Sequence, residues 1–159
     1  MGATAAMLDG VKEACEAWGR AMRWVLSSDG EGYPTLATFE RARGGELDAK
    51  AIAGVRQRFG EVMAGDALAV RLAIRKDPPM PEALHRLIFM HYVVPRKDCN
   101  RERIKIRHKA QQLGYLDTHG EGDSRAYYAA LDNAHHFLLG RLQIDRMFHE
   151  EPYVRAVCA

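Results

Sequence analysis

Three consecutive segments decide the fold: residues 81–94 (PEALHRLIFMHYVV), 101–114 (RERIKIRHKAQQLG) and 124–143 (SRAYYAALDNAHHFLLGRLQ). In the last, Tyr127, Ala130, Leu131, Ala134, Phe137, Leu138 and Leu142 recur by threes and fours, which puts them on one face of a helix. Arg125, Tyr128, Ala129, Asp132 and His136 fall on the opposite face, and Asp123 or Ser124 can cap the first turn. The first segment reads as a helix with Pro81 in its first turn and Pro95 as its stop. Its core face is expected at Leu84, Leu87, Ile88 and His91, with Tyr92 flanking. The middle segment reads as a basic helix, joined to the last by the loop LDTHGEGD at 116–123.

Upstream, Met7, Val11, Cys15, Trp18, Met22 and Val25 keep helical spacing, which predicts a helix over residues 4–26 with Trp18 in the core. Turn residues follow in SSDGEGYP and again at Gly44 and Gly45. Between them, TLATFERAR is too short to assign. Farther on, Ile52, Val55, Phe59 and Val62 share a face, and Leu68 and Leu72 resume it after an interruption at Gly65, giving two helices or one kinked helix. No segment alternates apolar and polar residues as a half-buried strand does. The expected fold is mainly α, a single helical domain. It comprises N-terminal helices over 1–80, a helix-turn-helix region over 81–142 and a C-terminal tail over 143–159.

Charge is distributed unevenly. Residues 96–109 hold seven basic side chains against Asp98 and Glu102, a net of +5, while the whole chain carries only +2. The positive charge is thus focused on one element, and few carboxylates lie at the spacing that would neutralise it. Such a patch points to nucleic acid, with Arg96, Lys97, Arg101, Arg103, Lys105, Arg107, His108 and Lys109 as candidate phosphate contacts. In a helix-turn-helix the second helix offers its first turns to the major groove. Ser124, Arg125, Tyr128 and Ala129 are then the candidates for reading sequence, with Arg125 suited to bidentate bonding of guanine.

Other classes find less support. No apolar run reaches the roughly 18 residues of a membrane span, and no secretory leader pattern opens the chain, so a cytoplasmic protein is expected. Cys15, Cys99 and Cys158 are odd in number and far apart, as free thiols are, and Cys99, His108, His135 and His136 lack zinc-site spacing. Adjacent helical positions diverge by about 100°, so one of His135 and His136 should pack and the other be solvated. No phosphate-binding glycine loop, HExxH or nucleophile elbow is present, and neither catalysis nor a cofactor is expected.

The succession HRLIFMHYVV, KAQQLGY and SRAYYAALDNAHHFLLGRL, preceded by WGRAMRW and DALAVRLAIRKDPPMPEALHRLI, resembles the Q-type late-gene antiterminators of lambdoid bacteriophages, in particular the phage 21 type. The resemblance spans residues 15–142. It implies a helix-turn-helix similar to the DNA-binding region of sigma factors. It also implies a protein that binds DNA near a phage late promoter in the bacterial host cytoplasm and loads onto paused RNA polymerase, so that terminators are read through. Implied partners are double-stranded DNA, bacterial RNA polymerase and its sigma factor, and a second copy of the chain on DNA. The phage-lambda type carries a cysteine-rich zinc insertion absent here, and residues 114–123 form a longer joint than the usual three or four residues. The alternatives are a DNA-binding small terminase-like subunit, which would assemble into a ring, and an adaptor that grips polymerase alone.

The stripe makes a direct prediction. Leu131→Ala should cost about 2–5 kcal/mol through lost burial and a residual cavity, whereas His136→Ala should change stability by no more than roughly 0.5 kcal/mol. Thermal unfolding of the two variants checks the orientation of the helix; a larger loss at His136 would rotate it.

Overall fold

A computed structural model describes the backbone of residues 2–28, 34–42, 47–97 and 103–158, and the side chains of 5–27, 34–41, 47–97 and 103–142. The glycine turns at 29–33 and 43–46, together with Asp98, Cys99, Arg101 and Glu102, lie outside the described residues. Seven α-helices are described: α1 (Gly2–Ser28), α2 (Leu36–Ala42), α3 (Ala49–Phe59), α4 (Glu61–Arg75), α5 (Glu82–Ile88), α6 (Ile106–Leu113) and α7 (Ser124–Cys158). A π-helical turn, Phe89–Val93, continues α5, and there is no strand among the described residues. The fold is mainly α. The expected tail beyond residue 142 continues α7 as helix.

The N-terminal stripe is buried at Val11, Cys15, Trp18 and Met22, while Met7 is 40% exposed. Burial pushes the Cys15 thiol far above its ordinary range, so it packs as a small apolar group. Helix α1 lies along α4 and also meets the π turn and α7, so the N-terminal helices and the 81–142 region share one core. Between α3 and α4 the break falls at Gly60, whose φ of 99° is in the left-handed region and whose N–H bonds Arg56 O at 2.9 Å. The expected interruption at Gly65 is therefore corrected, and with it the phase of α4. Val62 is 76% exposed and Leu72 50% exposed, and the buried face is Ala64, Ala67, Val70, Ala73 and Ile74. Those alanines allow the close approach of α1.

The α-helix expected to reach Val94 ends at Ile88, where the chain widens into the π turn, closed by Val94 N–H to Phe89 O at 3.1 Å. Pro81 precedes this helix as its N-cap. Phe89, Met90, Tyr92 and Val93 are all buried, so the turn is enclosed on several sides, and Tyr92, expected at the flank, is core. Helix α1 meets the turn at Gly19, where a Cβ would overlap the Tyr92 carbonyl.

Two tyrosine–histidine pairs fasten this region to α7: Tyr127 OH lies 2.9 Å from His91 Nδ1, and Tyr92 OH lies 2.5 Å from His135 Nε2. His135 is the packed member of its pair and His136 the exposed one. Along α7 the stripe is buried at Tyr127, Leu131, Ala134, Leu138 and Leu142, as its spacing predicts. Farther along, the Arg141 guanidinium stacks 4.4 Å over the Phe137 ring and bonds the carbonyls of Ala73, Lys76 and Pro78. This closes the orphan acceptors at the end of α4.

Two predictions follow from this packing. Gly19→Ala should destabilise by about 1–3 kcal/mol through overpacking against the π turn. Gly65→Ala, in mid-helix with open space around it, should stabilise by roughly 0.5–1 kcal/mol; urea unfolding checks both.

Acid should unfold the protein through its histidines. Burial, aided by Arg75 at His85, by Lys109, His135 and Arg96 at His91, and by Lys12 at His135, lowers each from 6.5 to about 4. The folded state keeps them neutral, while the unfolded chain takes up protons near 6.5. Stability is thus held above pH 6.5 and lost as pH falls towards 4, with an uptake of about three protons on unfolding near pH 5. His135→Gln should reduce that uptake by about one proton, measured as the slope of unfolding free energy against pH.

Candidate nucleic-acid interface

The basic segment, expected as one helix over 101–114, is not helical at 103–105, and α6 begins only at Ile106. Lys97 and Arg103 form an antiparallel bridge, Ile104 N–H bonds Arg96 O at 2.9 Å, and Lys105 is extended as the N-cap of α6. Beside this bridge Arg96, Lys97, Arg103 and Lys105 are all exposed. Arg107 and His108 follow, exposed, in the first turn of α6. Arg101 lies outside the described residues.

Lys109 is the exception. It is only 3% exposed, and its Nζ donates to Met90 O at 3.1 Å and Val94 O at 3.5 Å, so its proposed phosphate contact is corrected to an internal one. Burial, reinforced by Arg96 and Arg23, lowers its ammonium to about 8. A count of charges along the chain cannot separate Lys109 from its neighbours. Its helical phase can, because Lys109 and Leu113 stand four apart and Leu113 packs against the core.

Helix α6 ends at Gly114, whose φ of 86° places the left-handed residue at the terminus, and Tyr115 N–H returns to Ala110 O at 2.9 Å. The long joint that follows is a closed hairpin. Leu116 bridges Gly122, Asp117 Oδ1 accepts from the N–H groups of His119 and Glu121 at 2.8 and 3.0 Å, and Asp123 N–H bonds Tyr115 O at 2.8 Å. Glu121 pairs with Arg107 at 2.8 Å, and Gly122 sits so close to the Arg107 carbonyl that a Cβ would overlap it. The joint is therefore seated on α6.

Asp123 is the cap of α7, accepting from the N–H groups of Arg125 and Ala126 at 3.0 and 3.3 Å. Ser124 is partly buried, whereas Arg125, Tyr128 (51% exposed) and Ala129 face out. Tyr128 stands edge-on to the buried Tyr127, ring centres 5.6 Å apart.

The structure adds residues that local charge density does not reveal. A cleft of about 580 Å³ opens between α1 and the segment after the π turn. Arg20 and Arg23 line one wall and Arg96 and Lys97 the other, with His91 and Tyr92 also on its lining. Glu16 is the carboxylate among its described lining residues, 3.9 Å from Arg96. Arg23 donates to Tyr92 O. The signal was present in WGRAMRW, where Arg20 and Arg23 stand three apart on one side of α1.

Among the described residues no three His, Cys, Asp or Glu side chains converge as a metal site, and no helix is long and apolar enough to cross a membrane. Comparison with known protein families, with curated proteins and with solved structures finds no match for this chain.

Proposed function

We propose that this chain is a DNA-binding transcription antitermination factor of the phage late-gene type. In this reading the 96–108 segment holds the phosphate backbone and the first turns of α7 enter the major groove. The observation that carries it is the placement of charge at α6. Arg103 and Lys105 stand at the N-terminal end of a helix whose first turn has no acidic residue, and Arg107 in that turn already has Glu121 as its partner. Cations there oppose the helix macrodipole and weaken the helix, so their accumulation is explained by an anionic partner and not by stability. The free N–H groups of that helix end point the same way.

Helix α7 then serves as the reading helix. Arg125 supplies a guanidinium fork for guanine, Tyr128 a hydroxyl for a phosphate, and Ala129 a small surface against a thymine methyl. The wider role, loading onto a paused RNA polymerase and its sigma factor at a late promoter, rests on the family resemblance in residues 15–142.

With Lys109 internal, about four phosphates are neutralised by the segment, so log Kd against log salt should have a slope of roughly 4 in magnitude on duplex DNA. Arg125→Ala should cost about 1–3 kcal/mol on the specific site and leave non-specific binding nearly unchanged. Fluorescence anisotropy on the candidate late-promoter duplex and on a scrambled one measures both. A transcription assay with a terminator downstream of that promoter tests the antitermination role, and termination unaffected by the protein would overturn it.

A further inference from the structure

Four cations converge on the cleft beside the π turn. Arg20 and Arg23 come from α1, Arg96 and Lys97 from the segment after the π turn, and Glu16 also lines the cleft, 3.9 Å from Arg96. The convergence is built in. Gly19 brings α1 against the Tyr92 carbonyl, Arg23 is held by that same carbonyl, and the Lys97–Arg103 bridge sets the opposite wall. The cations also repel one another, and Arg20 and Arg96 add to burial in disfavouring the charged form of Arg23. Repulsion between like charges held this close is offset by an anion placed between them. A cleft lined by one sign of charge further concentrates counter-ions within it.

We propose that this cleft seats a backbone phosphate of duplex DNA, with Arg20 and Arg23 of α1 forming a clamp against Arg96 and Lys97. The inference rests on the DNA-binding reading above and extends it, because it brings the N-terminal helix, to which no role in binding had been assigned, onto the nucleic acid. Arg23 keeps donors free for this task, since a guanidinium has five N–H groups and only one carbonyl partner is described here. The cleft is also tied to α7. His91 lines it and pairs with Tyr127 OH, while Tyr92 lines it and pairs with His135. A phosphate held in the cleft would therefore fix α7 in register on the duplex. Glu16 tempers the clamp by competing for Arg96.

The test is anisotropy on specific and scrambled duplexes from 50 to 300 mM salt, an order-of-magnitude range for counter-ion release, with Arg20→Ala, Arg96→Ala, Glu16→Gln and, away from the cleft on α3, Lys50→Ala. Arg20→Ala and Arg96→Ala should each weaken both duplexes by roughly three- to tenfold and flatten the salt slope by about one. Glu16→Gln should tighten both, and Lys50→Ala should change neither. Arg20, Arg96, Glu16 and Lys50 are exposed, so these variants retain the fold. If the wild type binds duplex and the cleft variants bind it equally, the clamp is overturned while the DNA-binding reading stands. If the wild type binds no duplex at the lowest salt, both fall. A parallel titration with inorganic pyrophosphate, followed through arginine side-chain N–H resonances, separates the remaining source. Shifts abolished by Arg96→Ala, with duplex binding unaltered, would make the cleft a site for free phosphates and overturn the clamp.

Discussion

The carbonyl groups at the end of the π turn need donors in the interior, and the way they are supplied organises the molecule. The helix ends with this turn, so the carbonyls of Met90 and Tyr92 within it and of Val94 just after it lack donors from their own helix. Met90 and Val94 take theirs from the Lys109 ammonium, and Tyr92 takes its from Arg23. Each donor arrives from a different element, α6 and α1, and each can arrive only because the backbone approach is close, which at Gly19 means no side chain at all. A buried, unpaired carbonyl costs on the order of 1–3 kcal/mol. Three of them, left open, would undo much of the net stability of a domain of this size.

Two groups of cations stand apart among the described residues. Lys109 and Arg141 are turned inward to acceptors at helix ends, and Arg86 pairs with Glu40 at 2.9 Å. Arg20, Arg96, Lys97, Arg103 and Lys105 face outward and lie near one another in the fold, through the cleft and the Lys97–Arg103 bridge. The inward set stabilises the joint between helices, whereas the outward set does little for it and, at the head of α6, works against it. That contrast separates charge bound to the fold's own acceptors from charge left to solvent. Both kinds occur side by side in the run from 103 to 109, alternating with Ile104 and Ile106, which pack against the core.

What could be read in the sequence was whatever depends on one helix alone. The stripe of α7 emerges directly from the spacing of Tyr127, Leu131, Ala134, Leu138 and Leu142, because an amphipathic helix on one core has only one way to face. The partition of His135 and His136 has the same origin. The phase of α4 was lost because two glycines compete for the break, and only the left-handed backbone at Gly60 distinguishes it from Gly65. The late start of α6 is hidden by helix-forming Arg, Glu and Lys side chains, while the pairing that keeps 103–105 extended involves Arg96 and Lys97, which lie earlier in the chain. Arg20 and Arg23 lie far from the basic run in sequence and join it only through tertiary contact.

The hairpin between α6 and α7 has a consequence for how the protein can change over evolutionary time. Its two ends are pinned by the Asp123–Tyr115 and Leu116–Gly122 pairs and by Gly122 against α6, whereas Thr118, His119 and Gly120 form an exposed tip. Residues added or lost at that tip would leave both anchors in place. A joint longer than the compact version is therefore compatible with one fixed inter-helix geometry, and loop length is a poor measure of kinship for chains built on this plan.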